Sequence, residues 1–315
     1  MDPASGVEPA TRGERKTRES MSKKKPERPP DRVISSVADR RPAILDVIRQ
    51  ASRQVTLSLF RCNDSEIIEE LALAAKRGVT VDILLTSRAK GDRKKLKKLG
   101  PALEATGASV HLYTDQVVKY HAKYLIADDG PALVASLNLT RKCLERTCDA
   151  LVVTHDPAVV DGLRALMAAD RERLPMPATI TDRLIIGPER ARRQLTGLIE
   201  RARSSIRLID AKLSDPELVA LLNARRDTGL TVEVFGSKRL GALRSHGKLM
   251  LIDDEIAVVG SLALSAMSLD FRREVAIVVD DPAAVAEVLQ LFRDLDAIPT
   301  QGRIGTGQSA GEALC

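Results

Sequence analysis

The sequence predicts an α/β protein made of two similar halves, each a mixed β-sheet flanked by helices. Three observations lead to this prediction: strand-like and helix-like stretches alternate, one block of them occurs twice, and a Pro-containing stretch separates the copies. With 315 residues, 44% of them hydrophobic, the chain is long enough for two units with buried cores. We expect the halves to be related by a pseudo-twofold axis.

In the first half, short alternating or β-branched runs predict strands, and amphipathic stretches predict helices. Gly78 and Gly229 stand where helices are expected to end. The predicted strands are residues 55–60, 80–85, 120–127 and 150–154, and the predicted helices are residues 42–51, 65–76 and 157–174.

The repeat appears at two different offsets. Residues 51–85 return as residues 202–235, a segment that begins 151 positions later, whereas residues 121–128 return 125 positions later as residues 246–253. The second half has therefore lost a segment that corresponds to residues 87–114. In the first half, this segment predicts a Lys/Arg-rich helix and an extra strand.

The two ends of the chain differ in composition from its body. Residues 1–32 and 301–315 are poor in large apolar residues and predict disordered tails, the first of them basic. Between them we place the first half at residues 33–177 and the second at residues 178–300. The boundary falls in the Pro-containing stretch 175–181.

Composition excludes several classes of protein. Half of the net charge of +6 lies in the first 32 residues, and the chain has no Trp and only four Phe, which argues against a DNA-coating or base-stacking surface. The four cysteines show no metal-ligand spacing, so we expect no metal, no cofactor and reduced thiols. Without a long apolar run, the predicted location is cytoplasmic, with peripheral contact with an anionic membrane as an alternative.

Two of the four histidines occupy equivalent positions of the repeat. On a strand, His121 and Lys123 would point to the same side, and so would His246 and Lys248. An ammonium group attracts a phosphate oxygen, whereas a neutral imidazole can attack phosphorus or pass on a proton. This pairing of residue types indicates phosphate chemistry.

A serine and an acid follow each histidine at the same distances, Ser136 and Ser261 at plus 15 and Asp149 and Glu274 at plus 28. Hydroxyls donate to phosphate oxygens, and a carboxylate can fix the tautomer of an imidazole. A single histidine on an apolar strand is more often a core residue than a catalyst. The matched positions in both copies favour the functional interpretation.

The pattern H-x-K-x-x-x-x-D, followed by a small-Ser-x-Asn block, resembles the motif of the phospholipase D superfamily. The resemblance covers roughly residues 33–297. The first copy reads His121-x-Lys123-x-x-x-x-Asp128 with Ala135-Ser136-Leu137-Asn138, and the second reads His246-x-Lys248-x-x-x-x-Asp253 with Gly260-Ser261-Leu262-Ala263. Ala135 replaces the usual Gly, Ala263 replaces the usual Asn, and Asp149 stands where Glu is commoner.

The resemblance implies a phospholipase D-like fold and a metal-independent phosphodiesterase in which both motifs build one site between the halves. One histidine forms a phosphohistidine and the other protonates the leaving alcohol. In this family the nucleophile is generally the N-terminal histidine, which makes His121 the expected nucleophile and His246 the expected acid.

The resemblance also implies roles for the neighbouring residues. Asp149 is expected to orient His121, and Glu274 to orient His246. By strand parity Asp128 and Asp253 face away from their histidines, so we expect them to be structural. The nonbridging phosphate oxygens are expected to be held by Lys123, Lys248, Ser136, Ser261 and, on one side only, Asn138.

Three functions are compatible with the sequence. The favoured one is phospholipase D-type hydrolysis or transfer of phospholipid headgroups. The alternative is a nuclease of the same superfamily that cleaves DNA or RNA, supported by the basic segment 88–98. A noncatalytic phosphate-binding module is the third, which Ala263 keeps open. In each case the partner is a phosphodiester, and one chain with both motifs needs no partner chain to complete the site.

Overall fold

The computed structural model describes residues 30–88 and 93–297, which form two mixed β-sheets and the helices around them. Residues 1–29 and 301–315, and with them nearly all of the predicted tails, lie outside the described residues. Numbered along the chain and given in spatial order, the strands of the first sheet are β1 (Arg32–Ile34), β9 (Leu151–Thr154), β7 (Ala132–Ala135), β6 (Tyr124–Ala127), β2 (Gln54–Leu59), β3 (Thr80–Thr86) and β4 (Ser109–Tyr113).

The second sheet repeats this order but has no strand equivalent to β4. Its strands are β10 (Leu184–Gly187), β17 (Arg272–Val279), β16 (Ile256–Gly260), β15 (Leu249–Ile252), β11 (Ser205–Ile209) and β12 (Thr231–Phe235). A short strand, β5 (Lys119–Tyr120), joins β17, and a small ribbon consists of β13 (Arg239–Leu240), β14 (Leu243–Ser245) and β8 (Thr147–Cys148). The prediction of two similar mixed α/β halves is confirmed.

Helices flank both faces of the two sheets. The first half contains α1 (Val37–Gln50), α2 (Ser65–Lys76), α3 (Arg93–Glu104), α4 (Arg141–Arg146) and α5 (Pro157–Glu172), and the second contains α6 (Ala191–Arg201), α7 (Pro216–Asp227), α8 (Ala266–Phe271) and α9 (Pro282–Asp296). The predicted extra helix and strand of the first half are α3 and β4. Because β4 has no counterpart, β12 forms the edge of the second sheet.

Two predicted elements differ from the structure. Helix α1 begins at Val37 and not at Pro42, because the buried Arg40 side chain anchors the first turn by donating to the carbonyls of Ser35, Thr147 and Asp149. The predicted strand at residues 120–127 is two strands, β5 and β6. The residues between them leave the sheet because the N–H of His121 binds the other half.

The two halves contact each other reciprocally. Strand β5 of the first half pairs in parallel with the start of β17, with Tyr120 opposite Arg273. Strand β14 of the second half pairs in parallel with β8, with Ser245 opposite Cys148. In each contact, the two residues before a motif histidine pair with the two residues before the acid of the other half. This exchange is the pseudo-twofold relation that the repeat predicted.

Three apolar clusters stabilise this arrangement. One lies between the halves and combines residues of both sheets with α5 and α9, including Tyr124, Val152, Leu251 and Ile277. The second lies under α1 and α2 in the first half, and the third lies under α6 and α7 in the second half. Since the central cluster is shared, burial of apolar surface holds the halves together and sets the geometry of the residues at their junction.

Candidate active site

His121 is held by a carboxylate from the opposite half. Its Nδ1 lies 2.7 Å from Oε2 of Glu274, which is fully buried, and its backbone N–H donates to the carbonyl of Arg273 at 2.9 Å. Burial raises the pKa of a carboxyl group, but the neighbouring His121 and Lys123 outweigh it and lower the pKa of Glu274 to about 2. An ionised Glu274 accepts a hydrogen bond from the Nδ1–H of His121, which leaves Nε2 of His121 with its lone pair.

His246 has the equivalent partner from the first half. Its Nδ1 lies 3.0 Å from Oδ2 and 3.1 Å from Oδ1 of the fully buried Asp149. Burial works against the ionised form of Asp149, yet the neighbouring His246 and Lys248 lower its pKa below the ordinary value. The N–H of Gly247 donates to the carbonyl of Cys148 at 2.8 Å.

The pairing of acids and histidines is therefore crossed between the halves. The prediction that Asp149 orients His121 and Glu274 orients His246 is wrong. The physical reason is the reciprocal strand pairing: Tyr120 opposite Arg273 brings the next residues, His121 and Glu274, together. Both acids stand 28 residues after a histidine, so their spacing carries no information about which histidine they face.

The two lysines of the motifs are buried beside the histidines. Nζ of Lys123 donates to the carbonyl of His121 at 2.6 Å and lies 3.1 Å from its Nδ1, and Nζ of Lys248 donates to the carbonyl of His246. Burial lowers the pKa of Lys123 to about 7, with Glu274 opposing the shift and Lys248 adding to it. Each ammonium group has three N–H donors and uses one of them on a carbonyl, which leaves donors for a phosphate.

The surroundings of the two histidines differ. The ring of Phe60 packs edge-on against His121 with centroids 4.5 Å apart, and the position equivalent to Phe60 in the second half is Ala211. The His121 side chain is 13% exposed and that of His246 is 29% exposed. Burial lowers the pKa of His121 to about 3; Glu274 opposes this shift, whereas Lys123 and Lys248 reinforce it. His121 is therefore neutral at pH 7.

The hydroxyls of Ser136 and Ser261 face the protein and not the space beside the histidines. Ser136 Oγ donates to Oδ1 of Asp149 at 2.6 Å, and Ser261 Oγ bonds to the backbone of Val275 at 3.1 and 3.2 Å. Both serines are buried. In this structure they support the strands that carry the acids, contrary to the prediction that they hold nonbridging oxygens.

Two further hydroxyls, which the sequence reasoning missed, complete the support of the acids. Thr147 Oγ1 donates to Oδ2 of Asp149 at 2.5 Å, and Ser268 Oγ donates to Oε1 of Glu274 at 2.9 Å. They do not occupy equivalent positions of the repeat, because Thr147 corresponds to Arg272 and Ser268 corresponds to Cys143. A comparison of the two copies therefore carried no signal for them.

One cleft of about 880 Å³ reaches both histidines, and Asn138 lines it. Oδ1 of Asn138 is buried without a hydrogen-bond partner, and its Nδ2 lies 4.0 Å from Sγ of Cys143. The same cleft is lined by the cationic side chains of Arg61, Arg88, Lys119, Lys212 and Arg272. Among residues 30–88 and 93–297, no acidic side chain lines it. Arg61 and Lys212 stand 151 residues apart, so the offset of the repeat was the signal that could have identified them.

Asp128 and Asp253 lie away from the cleft, in the turns after β6 and β15. Asp128 accepts the backbone N–H groups of Ser52, Arg53 and Gln54, each at 2.8 Å. Asp253 accepts the equivalent N–H groups of residues 203–205. These are the contacts of residues that hold a turn against the start of a neighbouring strand.

Within residues 30–88 and 93–297, no three His, Cys, Asp or Glu side chains are grouped in a way that could hold a metal ion. None of the helices in these two ranges combines the length and apolarity that crossing a bilayer requires.

Comparison with known proteins identifies the family of this chain. The family model described as "Cardiolipin synthase, PLD-like domain" matches residues 44–171 and 235–295, which is more than half of the chain and includes both histidines and both acids. The chain belongs to this phospholipase D-like family. The prediction of a phospholipase D superfamily member is confirmed.

Individual relatives are more distant. Cardiolipin synthase A of Pseudomonas entomophila is 29% identical to this phospholipase D-like chain over 129 residues, which are 40% of the chain and 26% of the relative. An uncharacterized protein of Streptococcus mutans is 29% identical over 160 residues, 49% of the chain and 33% of that protein. The matched segments thus span only about a quarter to a third of these curated relatives.

Two solved structures share the fold. Phosphatidylserine synthase of Haemophilus influenzae superposes with a TM-score of 0.65 at 11% identity, covering 89% of this chain and 88% of that one. Polyphosphate kinase of Porphyromonas gingivalis superposes with a TM-score of 0.68 at 18% identity, covering 84% and 47%. At these identities the likeness concerns the phospholipase D-like fold alone.

Proposed function

We propose that this protein is a phosphodiesterase that hydrolyses phospholipid headgroups or transfers them to an alcohol through a phosphohistidine intermediate. The observation that carries the proposal is the pair of histidines, each bound at Nδ1 by a carboxylate of the opposite half and both open to one cationic cleft. A cleft lined by five lysine and arginine side chains suits a phosphodiester anion. Membership of the phospholipase D-like family, with cardiolipin synthase A among the similar proteins, favours a phospholipid.

In the first step, Nε2 of His121 attacks phosphorus and the bond between phosphorus and the leaving alcohol oxygen breaks. His246 enters the cycle protonated, with Asp149 balancing the charge of its ring, and gives its proton to the leaving oxygen. Glu274 stabilises the positive charge that develops on the His121 ring. Burial supports this division of roles, because the more buried His121 is neutral and keeps its lone pair.

In the second step, water or an alcohol attacks the phosphohistidine. His246, now neutral, takes the proton of the attacking oxygen, and the bond between phosphorus and Nε2 of His121 breaks. Both histidines return to their starting states. Lys123, Lys248 and the amide of Asn138 bind the nonbridging oxygens, where negative charge builds up in each transition state. Ala263 leaves the second half without an equivalent amide, so this binding is one-sided.

The test is turnover by the purified chain in excess EDTA, with a fluorescent phospholipid in mixed micelles and a labelled single-stranded oligonucleotide offered in parallel. We expect headgroup release from the lipid and a loss of at least about a thousandfold in His121→Ala. His155→Ala is the matched control, because His155 is exposed and does not line the cleft; its rate should be unchanged.

The intermediate gives a second readout. A quench that preserves phosphohistidine, followed by peptide mass spectrometry, should find the phosphoryl group on His121 and not on His246. Cleavage of the oligonucleotide alone would make the protein a nuclease and overturn the lipid assignment. No turnover of either substrate by the folded wild type would overturn the phosphodiesterase itself.

A further inference from the structure

The rim of the cleft carries exposed apolar side chains beside cations. Val117 is 69% exposed, Met267 is 42% exposed and Phe271 is 47% exposed. They make up half of the large apolar side chains that are comparably exposed in residues 30–88 and 93–297; the others are Leu73, Leu112 and Leu174. We call Val117, Met267 and Phe271, together with Lys119 and Arg272, the rim patch.

The fold places the members of the rim patch side by side. Met267 and Phe271 are one turn apart on α8, so their side chains share a face of that helix. Arg272 follows Phe271 directly and pairs in register with Lys119, and Val117 stands two residues before Lys119. Met267, Lys119 and Arg272 also line the cleft, which puts the patch at its mouth.

This grouping requires a physical explanation that a single exposed apolar residue does not. Scattered apolar side chains are normal on a protein surface, whereas a group of them bordered by cations marks an interaction site. Apolar side chains insert into the boundary between headgroups and acyl chains, and lysine and arginine bind the lipid phosphates beside them. Two of the three apolar residues, Val117 and Met267, are aliphatic and present no flat face on which a nucleic-acid base could stack.

We infer that the rim patch docks onto a bilayer surface that contains anionic phospholipid and so holds the mouth of the cleft against the headgroups. The inference rests on the proposed function, because the docked surface supplies the substrate. The two cations select a negatively charged surface, and the apolar side chains provide the contact that persists in salt.

The test measures docking without turnover. In the His121→Ala background, cosedimentation with vesicles of phosphatidylcholine plus phosphatidylglycerol is compared with cosedimentation with phosphatidylcholine alone. We expect strong binding to the anionic vesicles, reduced on the order of tenfold or more by the double substitution Val117→Ser, Phe271→Ser. The matched control is Leu73→Ser, Leu174→Ser, which removes two other exposed apolar side chains that do not line the cleft and should bind as the parent does.

Three results would overturn the inference: equal vesicle binding by the rim and control variants, equal binding to neutral and anionic vesicles, or a rim variant that loses binding only to a labelled oligonucleotide. With His121 intact, the rim variant should lose turnover of vesicle lipid but keep turnover of a monomeric short-chain phospholipid. Docking without turnover of either lipid by the wild type would refute the proposed function and leave the docking surface standing. Melting temperatures of all variants control for folding.

Discussion

The two motif histidines share their sequence context but differ in their surroundings. Phe60 packs on His121, while Ala211 stands at the equivalent place near His246, and the carboxylates that hold the rings are Glu274 and Asp149. His246 therefore has the shorter acid, Asp149, as its partner, and its ring is the more exposed of the two. The two copies can therefore serve different steps of one reaction although their motifs match.

Substitution of the acids tests the crossed pairing. With a nitrophenyl phosphodiester, the leaving group needs no protonation, so the proposed acid is dispensable in the first step. Glu274→Gln, which removes the carboxylate from His121, should then slow release of nitrophenolate by about a hundredfold or more, whereas Asp149→Asn should have a much smaller effect on the burst of the first turnover. Rapid-quench kinetics measures both. The reverse order of effects would contradict the assignment of His121, held by Glu274, as the nucleophile.

Lys123 predicts a pH dependence. Burial lowers its pKa from 10.5 to about 7, so its ammonium group is present below pH 7 and is lost as the pH rises through about 7. Because the neutral amine no longer attracts the phosphate, kcat/KM for the nitrophenyl phosphodiester should fall on the alkaline side of this pH. In Lys123→Arg the guanidinium stays charged, so the fall in kcat/KM at alkaline pH should disappear. If kcat/KM of this variant still falls at alkaline pH, a group other than Lys123 causes the fall.

At the scale of elements, the turns after β6 and β15 share one construction. Asp128 and Asp253 have positive φ angles of 44° and 55°, which aspartate tolerates better than most residues, and each carboxylate receives three successive backbone N–H groups at the start of a neighbouring strand. Burial raises the pKa of Asp128, but these bonds outweigh it and lower the pKa below its ordinary value. The aspartate of each H-x-K-x-x-x-x-D motif therefore has a structural role, which is to align two neighbouring strands.

Asp128→Asn should lower the free energy of unfolding by about 1–2 kcal/mol, because an amide oxygen replaces a carboxylate that accepts several bonds. We expect kcat to change little, since Asp128 lies away from the cleft. The stabilisation should be present above the ordinary pKa of 3.8 and be lost as the pH falls below it. Urea titrations at pH 7 and pH 3.5 measure both effects. Asp129→Asn is the control, because this neighbour is exposed; an equal loss in both variants would contradict the assigned role.

At the scale of the whole molecule, two arginines of the second half bind acids of the first. Arg273 is buried and donates to Asp170 at 2.7 Å while also binding Glu189 and the carbonyl of Gly187. Arg183 binds Asp31 and Asp156. Only Arg273 adjoins the active site, since its carbonyl accepts the N–H of His121 and its neighbour is Glu274.

Arg273→Met and Arg183→Met should both destabilise the protein, because each leaves an acid between the halves without its partner. Only Arg273→Met should also lower kcat, by about tenfold, with little change in KM. Loss of the Arg273 contacts should move the backbone around residue 273, which displaces His121 relative to Glu274 but leaves the cations of the cleft in place. Steady-state kinetics of the folded fraction, with Arg273→Lys as the conservative variant, provides the measurement. Equal kcat values in the two methionine variants would reduce Arg273 to a purely structural residue.

Some errors of the sequence reasoning have a common origin. Helix α1 starts before Pro42 because Arg40 reaches carbonyls of residues more than a hundred positions away. The strand predicted at residues 120–127 is interrupted because His121 bonds to the other half. Ser136 turns inward because Asp149 lies beside it. In each case a long-range contact outweighs a local pattern, and local patterns are all that periodicity can report.

The sequence by itself determined the two halves, the inserted helix and strand, the phospholipase D-like family and the positions of both H-x-K motifs. These follow from periodicity and repetition, which are local or internal to the chain. Only the tertiary structure decided that Glu274 serves His121 and Asp149 serves His246, and that Arg61, Lys212 and Phe60 join the site. The reason is that the site forms where two halves exchange short strands, and strand pairing between halves depends on packing across the shared core and not on distance along the chain.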